Sequence, residues 1–253
     1  MNSIHRAIPP KNIVNITITG TGAKTQSVSG NLYTIQFTGG TNAISFDKNI
    51  TSMNVIVVGG GGGGENGNAN GAGGGGAGGG FGVWNFSYTS GTVYDVSVGA
   101  TAASAQGIGA SATFLSGGIG VTSTGGAGSL YPSYTSAVAG TCTKTGAASG
   151  TLTSRTGGNG GVVGANGSNS SGLITVLGID YNYGGGGKGG MYDSPNYGGN
   201  AGSSGNGGIG NQTSKNGQSA STRGSGGGGG GKQSNAQAGN GGLGLVIVTF
   251  TYP

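Results

Sequence analysis

Residues 53–88 read MNVIVV, GGGGGG, ENGNAN, GAGGGGAGGG and FGVWNFSY in succession. Two apolar, β-branched or aromatic runs bracket two nearly pure glycine runs, and a polar hexapeptide separates the glycines. Glycine loses more backbone freedom on folding than any other residue. Such runs are ordered only where neighbouring backbones hydrogen-bond each other. A glycine helix is disfavoured by about 1 kcal/mol per residue relative to alanine, and a flat glycine sheet has no side chains to pack. The left-handed threefold polyglycine II helix remains, with its N–H and C=O groups pointing outward. Several such helices packed side by side satisfy one another's backbone.

Working outward, the flanks carry the strand signature. Val14, Ile16 and Ile18 alternate with polar residues, as do Tyr33, Ile35 and Phe37, followed by Ile44 and Phe46. Thr19–Gly22, Gly39-Gly40 and Asp47–Asn49 are the turns between them. Strands are also expected at 92–98, 112–115 and 243–252. No segment shows a helical period behind a capping box. The apolar run 245–250 must be buried, most simply against the N-terminal strands. The expected fold is therefore all-β with almost no α-helix, an antiparallel β-sandwich base with inserted, packed left-handed polyglycine II helices.

Parity sets the expected organisation. Residues 1–11 form a tail. Residues 12–57 supply strands belonging to the sandwich or to an attachment module, and 53–252 form the glycine-rich domain. Its glycine excursions are 59–80 and 117–242. The second is expected to cross about six times, at 117–129, 156–164, 184–190, 198–210, 226–231 and 239–242, each reaching about 3.1 Å per residue. Tip-side turns are then 65–70, 130–155, 191–197 and 232–238, and base-side turns are 165–183 and 211–225.

Composition excludes several classes. Of 253 residues, 67 are glycine and only 6 % are charged, yet ten Tyr and six Phe are present. Disordered chains have the opposite balance of charge and aromatics. The net charge of +5 is scattered without a stripe, so no nucleic-acid partner is expected. The start lacks a signal-peptide core, and no run reaches the ~20 apolar residues of a membrane span. Neither membrane insertion nor a cleaved signal is expected.

Chemistry is sparse. His5 is the only histidine, which argues against a histidine-based nucleophile or zinc site. The acids Asp47, Glu65, Asp95, Asp180 and Asp193 have no paired spacing. Cys142 stands alone. Gly226–Lys232 imitates a P-loop, but Gln233 stands where magnesium binding needs Ser or Thr, and no helix follows. The expectation is no enzyme, no cofactor and no metal.

The segment order then carries a resemblance. An apolar strand runs into glycines at Val55–Gly64, GAGGGGAGGG follows, a strand ends YDVSVGA at 94–100, and GNGGLGLVIVTF closes the chain at 239–250. This resembles the glycine-rich domain of phage and viral fibre proteins, and is similar in plan to T-even-like tail-fibre tip adhesins. The resemblance implies a virion surface protein, extracellular after release, whose loops between polyglycine helices recognise a host-cell receptor. Its other partners would be further virion or fibre subunits, including copies of itself. The receptor-binding role falls on the tip loops, at Glu65, Asn66, Asn68, Tyr131, Tyr134, Tyr192, Asp193, Tyr197, Lys232 and Gln233. Rigid amphipathic tyrosines beside Ser, Gly and Asn suit recognition, though aromatic burial alone also explains them. Two other readings use the same composition: a structural decoration or minor capsid protein, and an ice-binding protein.

Overall fold

Strand β3 (Leu32–Phe46) is the spine of the base, because it belongs to two layers at once. Its buried residues are Tyr33, Ile35 and Phe37 before Gly39-Gly40, and Asn42, Ile44 and Phe46 after it, so the inward phase shifts at that point. Gly40 sits at φ +75°, a conformation that favours glycine. The Gly39-Gly40 pair, expected as a turn between two strands, is thus a corner within one. The computed structural model describes residues 13–99, 106–129, 136–191, 197–205, 208, 215–233 and 235–252.

The first half of β3 pairs with β2 (Ala23–Ser29) and β13 (Leu245–Thr251). Beyond β13 lie β4 (Ile50–Val58), β5 (Phe81–Tyr88) and β10 (Thr151–Arg155). The second half pairs with β1 (Ile16–Gly20) and β6 (Tyr94–Val98). From β6 the layer continues through β7 (Ala112–Ser116), β8 (Ile119–Ser123) and β9 (Cys142–Thr145). Every pairing is antiparallel, and the described residues contain no helix.

The main core lies between the layers. It includes Phe37, Val55, Val57, Trp84, Val248 and Phe250 from one sheet and Ile44, Val96, Phe114 and Val121 from the other. A smaller cluster covers the outer face of the first sheet. There Ile56, Val58, Phe81, Val83, Leu245 and Ile247 meet Ile174 and Val176 of the β11 (Ile174–Val176)–β12 (Ile179–Tyr181) hairpin. Burial on both faces explains why β4 and β13 read as continuous apolar runs rather than alternating ones. The expected burial of 245–250 against the N-terminal strands is met by β13, which lies between β3 and β4.

The glycine segments leave these sheets without a break. Val58 pairs with Phe81 at the end of the β4–β5 ladder, and Gly59 N–H donates to Gly80 O at 2.9 Å just beyond it. From there the donors rotate. Gly59, Gly62 and Glu65 donate to Gly80, Ala77 and Gly74. Gly60 and Gly63 donate to Ala110 and Gly107, and Gly61, Gly64 and Gly67 donate to Gly242, Gly239 and Ala236, all at 2.8–3.0 Å. Each segment is therefore a rib bonded to different neighbours by successive residues, with a repeat of three.

Ribs 59–67, 73–80, 184–191 and 224–231 are surrounded by others. Rib 73–80, for example, exchanges bonds with 59–67, 124–129, 137–141, 156–164, 184–191 and 224–231. These interior ribs are the purest glycine runs. A Cβ added at Gly61, Gly75, Gly187 or Gly228 would overlap a backbone carbonyl of an adjoining rib. Outer ribs tolerate side chains on their solvent side, and Ile108 and Val138 are 75 % and 70 % exposed.

The second excursion differs from the expectation. Strands β8, β9 and β10 pair within the base between ribs, and the β11–β12 hairpin packs on its outer face. Residues 119–123 are strand, and 106–110, 137–141 and 215–220 are ribs despite their mixed composition. The expected tip turn 130–155 is corrected for the same reason: its second half holds β9 and β10, paired to β8 and β5 in the base. Threonine-rich, β-branched stretches such as TCTKT and TLTSR favour the pleated ladder over a rib.

Candidate distal recognition surface

The ends of the ribs remote from the sheets carry two adjoining turns, with Met191 and Tyr197 beside them. Asn68 organises the first, its Oδ1 accepting the Asn70 and Gly71 N–H groups at 2.8 and 2.9 Å. This is the backbone-mimicking turn that asparagine favours. Asn66 Oδ1 accepts the Ala238 N–H at 2.7 Å, and Gly67 N–H donates to Ala236 O at 3.0 Å. Those bonds join the first turn to the segment 235–238, where Asn235 adopts φ +65°. Lys232 N–H donates to Met191 O at 3.1 Å, and Met191 N–H donates to Tyr197 O at 2.8 Å. The structure thus brings Asn66, Asn68, Tyr197, Lys232 and Gln233 together at one end. Tyr131, Tyr134, Tyr192 and Asp193 lie outside the described residues.

Glu65 is a correction. Expected as an exposed contact, it is only 2 % exposed. It is the last lattice residue before the turn, and its side chain points to Gly74, whose N–H donates to Oε2 at 3.3 Å. Burial pushes its carboxyl above the ordinary glutamate range, opposed by hydrogen bonds from Gly74, Ser129 and Gln106. It cannot contact a partner without the lattice opening.

The glycine run 226–231 is no phosphate cradle. Its amides donate to Gly185, Gly62, Gln218, Lys188, Glu65 and Lys215 carbonyls in turn, which leaves none to face an anion. Among the described residues no three His, Cys, Asp or Glu side chains gather into a metal-binding group.

Several residues that hold the surface in place carried no periodic apolar signal. On the outer ribs, side-chain oxygens accept N–H groups that have no further rib to meet. Asn159 Oδ1 takes Ala139 N–H at 3.1 Å, Asn216 Oδ1 takes Gln237 N–H at 2.9 Å, and Ser219 Oγ takes Asn240 N–H at 3.0 Å. The three-residue spacing of Asn216, Ser219 and Thr222 is the trace this leaves in the sequence. Arg223 ties the lattice to the sheets, donating from Nη1 to Thr38 O and Gly244 O at 3.1 and 3.2 Å. Ser123 Oγ bridges the strand-to-rib junction by accepting Gly59 N–H and donating to Gly80 O.

Cys142 pairs with Ser123 in the β8–β9 register and is buried. Burial pushes its thiol up to about 12. Only the thiolate is nucleophilic, so a thiol-specific reagent at pH 8 should leave the native protein unlabelled and react once after denaturation. Prompt labelling of the native state would contradict this burial.

These features define a class, an all-β sandwich that carries a laterally bonded glycine lattice. The chain matches the family model of a glycine-rich domain over residues 35–251, and it belongs to that family. No curated protein matches it.

Proposed function

We propose that the protein is a virion surface or fibre protein acting as a tip adhesin, whose distal turns recognise a host-cell surface receptor. The observation that carries this reading is the lateral bonding of the turn at 66–72 to Ala236 and Ala238, and of Lys232 to Met191 and Met191 to Tyr197, at one end of a bonded lattice. A surface ordered before contact loses little conformational entropy on binding, and this raises affinity without extra contact area. Polar turns of Asn, Ser, Gly and Tyr are adaptable hydrogen-bonding material. The lattice, read as polyglycine II, holds them away from the sheets.

The test combines Tyr197→Ala, Lys232→Ala and Gln233→Ala. Adsorption to susceptible cells is expected to fall at least about tenfold, the loss of roughly 1.4 kcal/mol of binding, while the unfolding midpoint stays put. Undiminished adsorption by the folded triple variant removes these residues from the mechanism. A second reading, a structural decoration protein, draws on β2, whose residues are all exposed on a strand that pairs only with β3 among the described residues. An exposed edge strand is a template for pairing with another subunit. Hundreds of copies per particle would favour that reading, and a few would favour the adhesin.

A further inference from the structure

We propose that Glu65 is a proton-binding site built into the lattice, where protonation tightens the distal turns and ionisation loosens them. The proposal concerns the lattice itself and is independent of any receptor. Glu65 is the only glutamate in the chain. Its carboxyl is buried, with Oε2 accepting the Gly74 N–H and Oε1 lacking any hydrogen-bond partner.

The place of this carboxyl in the bonding pattern matters. Rib 73–80 donates from Gly80 and Ala77 to the carbonyls of Thr124 and Ala127. Gly74 is the next donor in that row. Its amide donates to the Glu65 carboxyl, so the side chain takes part in that row beside Ser129. The main chain of the same residue donates to Gly74 O and accepts from Gly230 N–H at 2.8 and 2.9 Å. One and two residues on, Asn66 and Gly67 hold the turn to Ala238 and Ala236. A shift of Glu65 is therefore passed directly to the turns at 66–72 and 231–236.

Among the described residues an ionised carboxyl here has no countercharge. The ribs packed around it, 73–80, 106–110, 124–129, 224–231 and 236–242, contain no Lys, Arg, His, Asp, Cys or Tyr. The side chains of Gln106 and Ser129 face it, and both are neutral. Lys188, on rib 184–191, is engaged by Gly164 O and Asn166 Oδ1 at 3.1 and 2.9 Å. Lys232 follows the end of rib 224–231, and no charged group contributes to the shift at Glu65. A buried charge without a countercharge is costly, and a proton removes it. Because burial raises the folded-state value, the stabilisation is complete below the ordinary glutamate value of about 4.3. It is lost as pH rises through the raised value. The lattice end is thus tighter in mild acid than at neutral pH.

Protein labelled with 13C at the glutamate carboxyl gives a single side-chain resonance of this type. It should titrate above the ordinary glutamate value of about 4.3. Exchange of the Gly67 and Gly74 amides, corrected for base catalysis, should accelerate as pH rises through that raised value. In Glu65→Gln, whose amide imitates the protonated acid, the corrected exchange should be flat with pH. A midpoint at or below 4.3, or the same acceleration in Glu65→Gln, overturns the proposal. If the variant does not fold, the resonance of the unsubstituted protein decides alone. Neither measurement involves a receptor, so its failure is separate from failure of the adhesin reading.

Discussion

Gly61→Ala is expected to destabilise the protein by more than about 4 kcal/mol, the range reserved for severe, identifiable defects. The new methyl group would overlap the Ser225 carbonyl carbon and oxygen. That carbonyl cannot move aside freely, because it accepts the Gly242 N–H at 2.7 Å. Displacing Gly61 instead strains its own bond to Gly242 O and those of Gly60 and Gly62 to Ala110 and Ala77. Each buried polar group left unpaired costs about 1–3 kcal/mol. Alanine also stiffens the unfolded chain, which favours folding by only about 0.4–1 kcal/mol. The control is Gly117→Ala in the β7–β8 turn, where space is open and φ is +56°. Its cost is the left-handed conformation alone, about 1–2 kcal/mol. Urea denaturation of both variants compares them. Equal losses would mean that the interior ribs yield easily and the lattice is not close-packed.

The same close packing explains how much of the fold could be read beforehand. Glycine purity tracks position in the lattice. The runs 59–64, 73–76, 184–187 and 226–231 belong to ribs enclosed by others, where a Cβ meets backbone. Outer ribs such as 137–141 and 215–220 were invisible, because one open side suffices for ordinary side chains and nothing apolar repeats there. The strands with a buried face, β3, β4, β5 and β13, were legible from alternation or continuous apolar runs. Strand β2 was not, since AKTQSVS is exposed on both faces and shows no period. Strands β9 to β12 have three to five residues each, too few to establish a pattern.

The candidate site was legible as a set of turns but not residue by residue. Parity alone placed Asn68, Tyr197 and Lys232 at one end, and lateral bonds join Lys232 to Met191 and Met191 to Tyr197. Glu65 was misread because a charged residue next to Asn-Gly normally marks solvent. Here the threefold rotation aims its side chain inward at Gly74. Lys188 is the other charged residue of the interior ribs, and it too is buried, its ammonium reaching a carbonyl and an amide oxygen. Neither burial leaves a mark in local sequence, since both depend on which distant rib lies alongside.

Phe250→Ala should remove about 3–5 kcal/mol, the usual cost of emptying a large aromatic site, from a total that for most domains is only about 5–15. Phe250 is fully buried, stacked on Tyr33 with centroids 4.9 Å apart and edge-on to Phe46 at 5.2 Å. It lies on β13, which bonds to β3 on one side and β4 on the other. Both rib 59–67, leaving β4, and rib 236–242, leading into β13, start from these paired strands, and Gly61 N–H bonds to Gly242 O across them. Loss of packing in the sheets should therefore reach the glycine ribs. Trp84 is the only tryptophan and sits in the sheet core against Phe86, so its fluorescence reports the base, while glycine amide exchange reports the lattice. In Phe250→Ala both signals are expected to shift to lower denaturant together, in a single transition. Ribs that kept their protection after the Trp84 signal had melted would show that the lattice holds itself together, and the sandwich would then be a tether and not its foundation.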